Sequence, residues 1–495
     1  MNLLVRVDTH ARDTLQDQIS CGIRRAIVDG VLAPGTRLPS SRALALDLGV
    51  SRTTTVLAIE QLIAEGYLES RRGAGTFVVS ELPDDRPRTT PHRLFRLRHP
   101  PLSRRGHALS AISPPGVRLV GPPRAFRVGV PALDLFPVAT WSRLVSRRAK
   151  SVTLTHLDYS EPAGILALRE ALADHVTKRR GTRCTAHQVL VVAGAQRGIE
   201  QICRLLLDTG DAAVLEDPCY PGAMSALVSA GARIVPVLVD ENGIDASRIS
   251  ADEGTPRLAY VTPSHQFPLG AQMSLARRSA LLDWARMSNA WIVEDDYDSE
   301  FRYGARPVPC LHGLDRDGRV IYVGSFSKSL FPSLRLGFLI VPADVHPRLV
   351  AARQAADVHP PTLDQLVLAD FIEAGHFDRH LLRMRAAYRE RVDALCDAAE
   401  RFCGGALRVR PVQTGLHAVA DLEDADADDV FREALKRGVE VMPLSSYAVA
   451  SPVANALVLG FGCATPDTLT RGMERLAAAI AAAQRAATSM RSEAG

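Results

Sequence analysis

Long apolar runs are missing from this chain: nowhere in its 495 residues does one approach the roughly 18 needed to span a bilayer. No helical membrane anchor is expected. Residues 1–13 hold Asp8 early and no apolar segment followed by small residues, so no secretory signal is expected either. Cysteine pairs are also missing. The eight cysteines (Cys21, Cys184, Cys203, Cys219, Cys310, Cys396, Cys403 and Cys463) are scattered, and no CxxC occurs. This argues against a disulfide scaffold or a zinc site, and for reduced, mostly buried thiols in a cytoplasm. Neither sign of charge dominates. The 59 Lys and Arg against 55 Asp and Glu leave +4, too little to argue for nucleic acid, so the distribution must decide. Internal repeats are absent.

What is present is a chain 46% hydrophobic and too long for one core. A rule of about 100–200 residues per domain predicts two to four domains.

Residues 1–80 read as three helices and a hairpin. Leu15, Ile19, Ile23, Ala26 and Ile27 recur at helical spacing up to Gly30. After the turn Ala33-Pro34-Gly35, Ser40 or Ser41 caps a short helix carrying Leu44, Ala45 and Leu48, which Gly49 breaks. Ser51 caps a third helix with Val56, Ile59, Leu62 and Ile63 on one side. Residues 67–70 and 76–79 are short extended pieces joined by a basic, glycine-bearing tip, a two-stranded wing. A helix-turn-helix places the start of its second helix in the major groove. Here that start is Ser51-Arg52-Thr53-Thr54, with Arg42 one helix earlier and Arg71, Arg72 and Gly75 in the wing. Arginine reads guanine, and hydroxyls at a helix start suit phosphates. Any one of these arginines alone reads as a solvated surface charge.

From 81 to 125 the texture changes. Nine arginines between Arg86 and Arg124 face only Glu81, Asp84 and Asp85, and nine prolines interrupt every helical pattern. The segment is expected to be an extended, solvated tether, with a grip on DNA phosphate as the second reading.

From 126 onward strand and helix patterns alternate, with strands expected at 189–192, 213–215, 234–239, 258–261, 290–293, 320–323 and 338–341. Alternation on this scale predicts a largely parallel sheet covered by helices on both faces. After Pro361 the pattern turns helical, with strands near 415–420 and 456–461, which predicts a smaller α+β domain.

The richest segment is Gly324-Ser-Phe-Ser-Lys328, followed seven positions later by Arg335. A lysine beyond a buried strand, flanked by hydroxyls and an arginine, suits a phosphorylated aldehyde. The amine forms a Schiff base, and Ser325, Ser327 and Arg335 hold the phosphate. The turn Gly194-Ala195-Gln196 opens a helix whose free N–H groups also suit phosphate. Tyr220 offers a ring to stack, and the strand ending in Glu294-Asp295-Asp296-Tyr297 brings acids to a sheet edge where sites form.

The segments 30–42, 48–54, 65–68 and 73–77 resemble the winged-helix domain of GntR-type bacterial regulators almost end to end. That resemblance implies DNA contacts by Arg42 and Arg52; Val56 stands where some relatives carry a basic residue, so an operator does not transfer. Residues 126–485 resemble fold-type I aminotransferases, and the combination resembles the MocR/GabR regulators over essentially the whole chain. The implied architecture is multidomain. A winged helix-turn-helix (1–80) and a basic Pro/Arg-rich linker (81–125) precede an α/β fold-type I, aminotransferase-like body with a small α+β C-terminal domain (126–495).

The resemblance further implies pyridoxal 5'-phosphate on Lys328, Asp295 against the pyridine nitrogen, and Tyr297 donating to the phenolic oxygen. It implies a head-to-tail homodimer, double-stranded operator DNA as partner, and a cytoplasmic, nucleoid-associated bacterial protein. The effector is expected to be the cofactor itself or an amine, and no metal is expected. Two departures stand out. Phe267 replaces the asparagine usual before Pro268, leaving His265, Gln266 or nothing to supply its hydrogen bond. Cys463 stands where an arginine usually clamps an α-carboxylate, and Arg197 substitutes only if it points inward. The leading expectation is a sensor body with residual transaminase chemistry left open. An active aminotransferase with an auxiliary head is the alternative. A body that only dimerises is disfavoured by Lys328, Asp295 and Arg335.

Overall fold

The computed structural model describes residues 7–8, 13–80, 102–112, 123–250, 254–304 and 308–494, with side chains to residue 486. The chain forms two compact units, 1–100 and 101–495.

In the first unit, helices α1 (Leu15–Val28), α2 (Ser41–Leu48) and α3 (Arg52–Ala64) precede the hairpin β1 (Leu68–Arg71) and β2 (Gly75–Val78). Each helix starts on a hydroxyl that accepts a backbone N–H: Thr14 from Asp17, Ser40 from Ala43 and Ser51 from Thr54. Gly49 ends α2 at φ +67°, a conformation costly for any residue with a Cβ. Ile19, Ile23, Ile27, Leu44, Ile59 and Leu62 fill the core. The buried side of α3 is turned by one residue from expectation. It presents Thr55, Ala58, Ile59 and Leu62, while Val56 and Ile63 are half-buried. The Thr55 hydroxyl lies inside because it donates to Ser41 O and Arg52 O, so its burial leaves nothing unpaired.

The second unit opens with a departure from expectation. Within the segment expected to lack helix, α4 (Arg104–Ala111) forms in the proline-free window between Pro101 and Pro114. Ser103 caps it by accepting the Gly106 N–H. The helix buries none of its own residues, but Arg105 reaches Thr209 Oγ1 at 3.0 Å. The rest of the expected tether, 81–101 and 113–122, lies outside the described residues.

The main sheet has eight strands: β3 (Val189–Val192), β4 (Ala212–Asp217), β5 (Arg233–Asp240), β6 (Gly243–Ile244), β7 (Leu258–Val261), β8 (Trp291–Asp296), β9 (Val320–Ser325) and β10 (Gly337–Ile340). Their order is β3-β10-β9-β8-β7-β4-β5-β6. All pairings from β9 to β5 are parallel. β10 runs antiparallel to both neighbours, and β6 antiparallel to β5. Helices cover both faces. In β3, Val189 and Val191 join the core on one side, Leu190 and Val192 the core on the other. The C-terminal part adds a four-stranded antiparallel sheet of β11 (Leu407–Val409), β12 (His417–Leu422), β13 (Met442–Pro443) and β14 (Ala456–Gly460), packed with helices His376–Cys403 and Pro466–Ala494. No helix among the described residues is long and apolar enough to cross a membrane.

Candidate functional site

The carboxyl ends of β8 and β9 bring the body's polar residues together. Only four lysines occur in the chain, and Lys150, Lys178 and Lys436 are exposed on helices. Lys328, half-buried past the end of β9, is therefore the one lysine drawn in from the surface; it donates to Gly129 O at 2.7 Å. This scarcity was a signal in the sequence that motif reading passed over.

Strand alternation sorts the acids of β8. Glu294 accepts the N–H groups of Leu311 and His312 and lies 3.7 Å from Arg278. Asp296 pairs with Arg180 at 2.6 Å and accepts from Tyr322 at 2.6 Å. Burial raises the Asp296 carboxyl, but Arg180 together with hydrogen bonds from Ser299 and Tyr322 holds the group below its ordinary value. Asp295 points the other way, without an arginine partner among the described residues. Its Oδ2 accepts from Tyr260 at 2.5 Å, and its Oδ1 has no hydrogen-bond partner among the described residues. Burial pushes its carboxyl up to about 7, although the charge of Lys328 reaches it and acts to lower it. A buried carboxylate with an empty acceptor suits a ring N–H, and a pyridine nitrogen fits it.

The three neighbouring strands β3, β10 and β9 bring a helix start, a guanidinium and hydroxyls to one sheet edge. Gly337 pairs with Val192 on one side and Ser325 on the other, and a Cβ at Gly337 would lie 3.0 Å from Ala195 N. The absent side chain lets the start of helix α8 (Ala195–Leu206; α5 to α7 are Val138–Lys150, Leu154–Leu157 and Leu166–Arg180) approach the strand end. The exposed Arg335 guanidinium lies against Gly194, where a Cβ would sit 3.2 Å from Cζ. Ser325 Oγ accepts the Ser327 N–H. A helix start, a guanidinium and hydroxyls on one sheet edge are chemically suited to a phosphate. The side chain of Gln196 is used otherwise, donating to Gly222 O at 2.8 Å. A Cβ at Gly222 would lie 2.4 Å from the Tyr220 ring, so glycine there leaves that ring its place.

Of the two side chains open to replace the loop asparagine, Gln266 is occupied with Glu216, Pro218 O and Phe267 O. His265 instead meets Tyr297: the Tyr297 hydroxyl lies 2.9 Å from His265 O and 3.0 Å from Nδ1. Phe267 sits edge-on to Tyr220, His417 and Tyr447 at 5.1–6.0 Å between centroids. Three residues near this cleft were not singled out from the sequence: Gly129, Tyr260 and Asp298. Tyr260 stands beside Asp295 through the strand register, which sequence does not carry. Asp298 was visible as another acid in Glu294-Asp-Asp-Tyr-Asp298.

Arg197 does not point inward. It is held by Asp357 at 3.1 Å and Glu200 at 2.8 Å. The Cys463 thiol faces Arg124 O and Arg127 O, and burial pushes it up to about 11. Arg127 forks onto Glu440, and Arg391 is held by Asp134 and Gly462 O.

In the first unit, Arg42, Arg52 and Thr53 are exposed, and no ion pair among the described residues engages the two arginines. The Ser51 and Thr54 hydroxyls are 2.8 Å apart, and Ser51 Oγ also caps α3 by accepting the Thr54 N–H. The wing arginines differ. Arg71 forks onto Glu69 and lies 4.7 Å over the Phe77 ring, whereas Arg72 is exposed and unpaired among the described residues. Gly75, at φ +116°, makes room for Arg37, whose Nε a Cβ would meet at 3.0 Å.

The family "Aminotransferase class I and II" matches residues 143–476, and "Bacterial regulatory proteins, gntR family" matches residues 15–78. The chain is 39% identical to the probable rhizopine catabolism regulatory protein MocR of Rhizobium meliloti, over 96% of each. It is 34% identical to the pyridoxine biosynthesis transcriptional regulator PdxR of Corynebacterium glutamicum, covering 94% of this chain and 96% of that protein. Among solved structures, the α-aminoadipate aminotransferase LysN of Thermus thermophilus, complexed with N-(5'-phosphopyridoxyl)-L-leucine, superposes with a TM-score of 0.67. The two are 30% identical over 72% of this chain and 92% of that one.

Proposed function

The chain belongs to the MocR-type regulators, a GntR-type head joined to a class I and II aminotransferase body, and on that premise we propose that it is a transcription regulator whose body binds pyridoxal 5'-phosphate and senses it or an amine that reacts with it. The observation that carries the cofactor reading is the pair formed by Lys328, the one half-buried lysine, and Asp295, whose buried Oδ1 has no hydrogen-bond partner among the described residues. When bound, the cofactor supplies an aldehyde that captures amines and an electron-poor ring.

The chain's own residues take the remaining roles. Lys328 is the covalent anchor. Asp295 receives the ring N–H, and Tyr297, backed by His265, offers its hydroxyl to the phenolic oxygen. The N–H groups of Ala195 and Gln196, with Ser325, Ser327 and Arg335, hold the phosphate, and Tyr220 lies against the ring. The neutral Cys463 thiol and the engagement of Arg127, Arg197 and Arg391 by acids favour an amine without an α-carboxylate as effector. The retained Lys328, Asp295 and Arg335 keep turnover as the second reading.

In the head, Arg42, Ser51, Arg52, Thr53 and Thr54 face a major groove, and Arg72, with Arg71 and Gly75 behind it, meets phosphate beside it. A homodimer is supported by apolar side chains that water covers in the single chain: Leu154 is 86%, Leu157 74% and Tyr159 81% exposed.

The deciding experiment is binding of the purified full chain to its own upstream DNA, with and without pyridoxal phosphate, across a salt series. Specific, salt-dependent binding that changes with the cofactor is expected. Specific binding indifferent to the cofactor would transfer the signal to an amine. Steady turnover with an amino donor and a keto acid, without specific DNA binding, would overturn the regulator reading.

A further inference from the structure

Behind Tyr297 lies a hydrogen-bonded couple for which the fold offers no structural need. His265 Nδ1 is 2.9 Å from Asp298 Oδ2, and the two side chains are 2% and 1% exposed. Nδ1 is also 3.0 Å from the Tyr297 hydroxyl, which lies 2.9 Å from His265 O. One arrangement of protons satisfies all three contacts. In the cofactor-free chain Nδ1–H is shared by the Asp298 carboxylate and the Tyr297 oxygen, and the tyrosine O–H rests on the carbonyl, from which it can turn to another acceptor while its oxygen keeps the Nδ1–H. His265 thus holds the hydroxyl from two sides.

The histidine is itself fixed. A Cβ at Gly415 would lie 2.0 Å from its Cε1, and one at Gly270 3.3 Å from its Nε2. On its face lies His417, 4.8 Å between centroids, which burial keeps neutral and whose Nε2 donates to Pro268 O. Burying Asp298 is costly, and Oδ2 finds its hydrogen bond in His265 while Oδ1 has no partner among the described residues. A buried couple of this kind is weak evidence for stability, because apolar replacements of similar volume are often neutral or stabilising, and this directs attention to a role in function. A metal at His265, Asp298 and His417, whose ligand atoms lie within 4.8 Å of one another, would have to displace these hydrogen bonds.

We infer that His265, oriented by Asp298, is a positioning residue that makes the Tyr297 hydroxyl a stronger donor toward the cofactor's phenolic oxygen. The inference rests on the pyridoxal phosphate reading above. A hydroxyl that accepts Nδ1–H gives its own proton to an acceptor more readily. With that donor weakened, more negative charge stays on the phenolic oxygen, and the nitrogen joining Lys328 to the cofactor keeps its proton to higher pH. The charged and titratable groups around the hydroxyl and the lysine are Asp295, Asp296, Asp298, Glu216, Lys328 and His417.

The test is a pH titration of the visible absorbance of the full chain loaded with pyridoxal phosphate. His265→Gln keeps polarity and bulk but has no nitrogen at the Nδ1 position, whereas the His265→Asn amide reaches it. His265→Gln is expected to move the titration midpoint up by about one pH unit, the size of a lost favourable contact. His265→Asn should keep it near the wild-type value. In a Tyr297→Phe background, His265→Gln should add no further shift. A His265→Gln midpoint equal to wild type, or a full shift without Tyr297, overturns the inference and leaves the cofactor reading intact. A wild-type chain that takes up pyridoxal phosphate without a visible band attached to Lys328 overturns both.

Discussion

Among the residues of the cleft, Asp295 has the sharpest consequence for pH. Burial lifts its carboxyl to about 7, so the fold holds a proton there that the unfolded chain, with an ordinary value near 4, has already lost. A group whose folded pKa is raised contributes stability below its unfolded pKa, and that contribution is lost as pH rises through the folded one. The cofactor-free protein is therefore expected to melt at lower temperature at pH 8 than at pH 5. Asp295→Asn should raise the pH 8 midpoint by a few degrees while leaving pH 5 nearly unchanged. Glu216, also lifted by burial to about 7, keeps part of the slope. Melting curves from pH 5 to 8 that are parallel for wild type and Asp295→Asn would show that Asp295 titrates normally. Sequence placed Asp295 at a strand end and named its partner. That it is the acid of β8 without an arginine partner among the described residues follows from Arg180 and Arg278, distant in sequence and matched to Asp296 and Glu294 only by the fold.

At the scale of elements, the wing separates two arginines that look equivalent in sequence. Arg71 already spends its guanidinium on Glu69 and on the Phe77 ring, while Arg72 has no such partner among the described residues. A cation free to meet phosphate weakens binding uniformly across DNA sequences when removed, and lowers the salt slope by about 1. Arg72→Ala is expected to do this, and Arg71→Ala to affect DNA binding less while loosening the hairpin. Titrations at several salt concentrations with operator and unrelated DNA check both; a larger loss for Arg71→Ala would reverse the assignment. The starts of α2 and α3 were legible because Ser40 and Ser51 carry the caps themselves, and Gly49 carries the left-handed stop, whereas the Thr14 cap of α1 went unread. The α3 face was misjudged by one residue because Thr55 counts as polar until its acceptors, Ser41 O and Arg52 O, are known. Helix α4 was missed because prolines were counted over the whole segment, when Pro101 and Pro114 leave a window long enough for two turns. The antiparallel β10 was also illegible, since its apolar run reads the same in either direction.

For the whole molecule, the joined domains matter more than either alone. A winged helix reads a short half-site, and two heads on one dimer read two half-sites with an affinity neither reaches singly. A symmetric pair also requires a self-complementary surface on the body. The apolar group Leu154, Leu157 and Tyr159 is the strongest candidate, since a lone chain leaves these side chains more than two-thirds in water. Leu157→Asp places a charge on that surface without touching the core of the body, in which Leu157 takes no part. Wild type is expected to sediment as a dimer, and the variant as a monomer at the same concentrations. Its affinity for operator DNA should fall at least tenfold toward that of one head, since linked sites gain about 10²–10⁴ over single ones. Binding to unrelated DNA, which depends on phosphate contacts alone, should fall much less. A variant that stays dimeric would move the interface elsewhere on the body. A monomer that binds operator as tightly as wild type would mean that one head suffices, and that the body controls it by some route other than pairing.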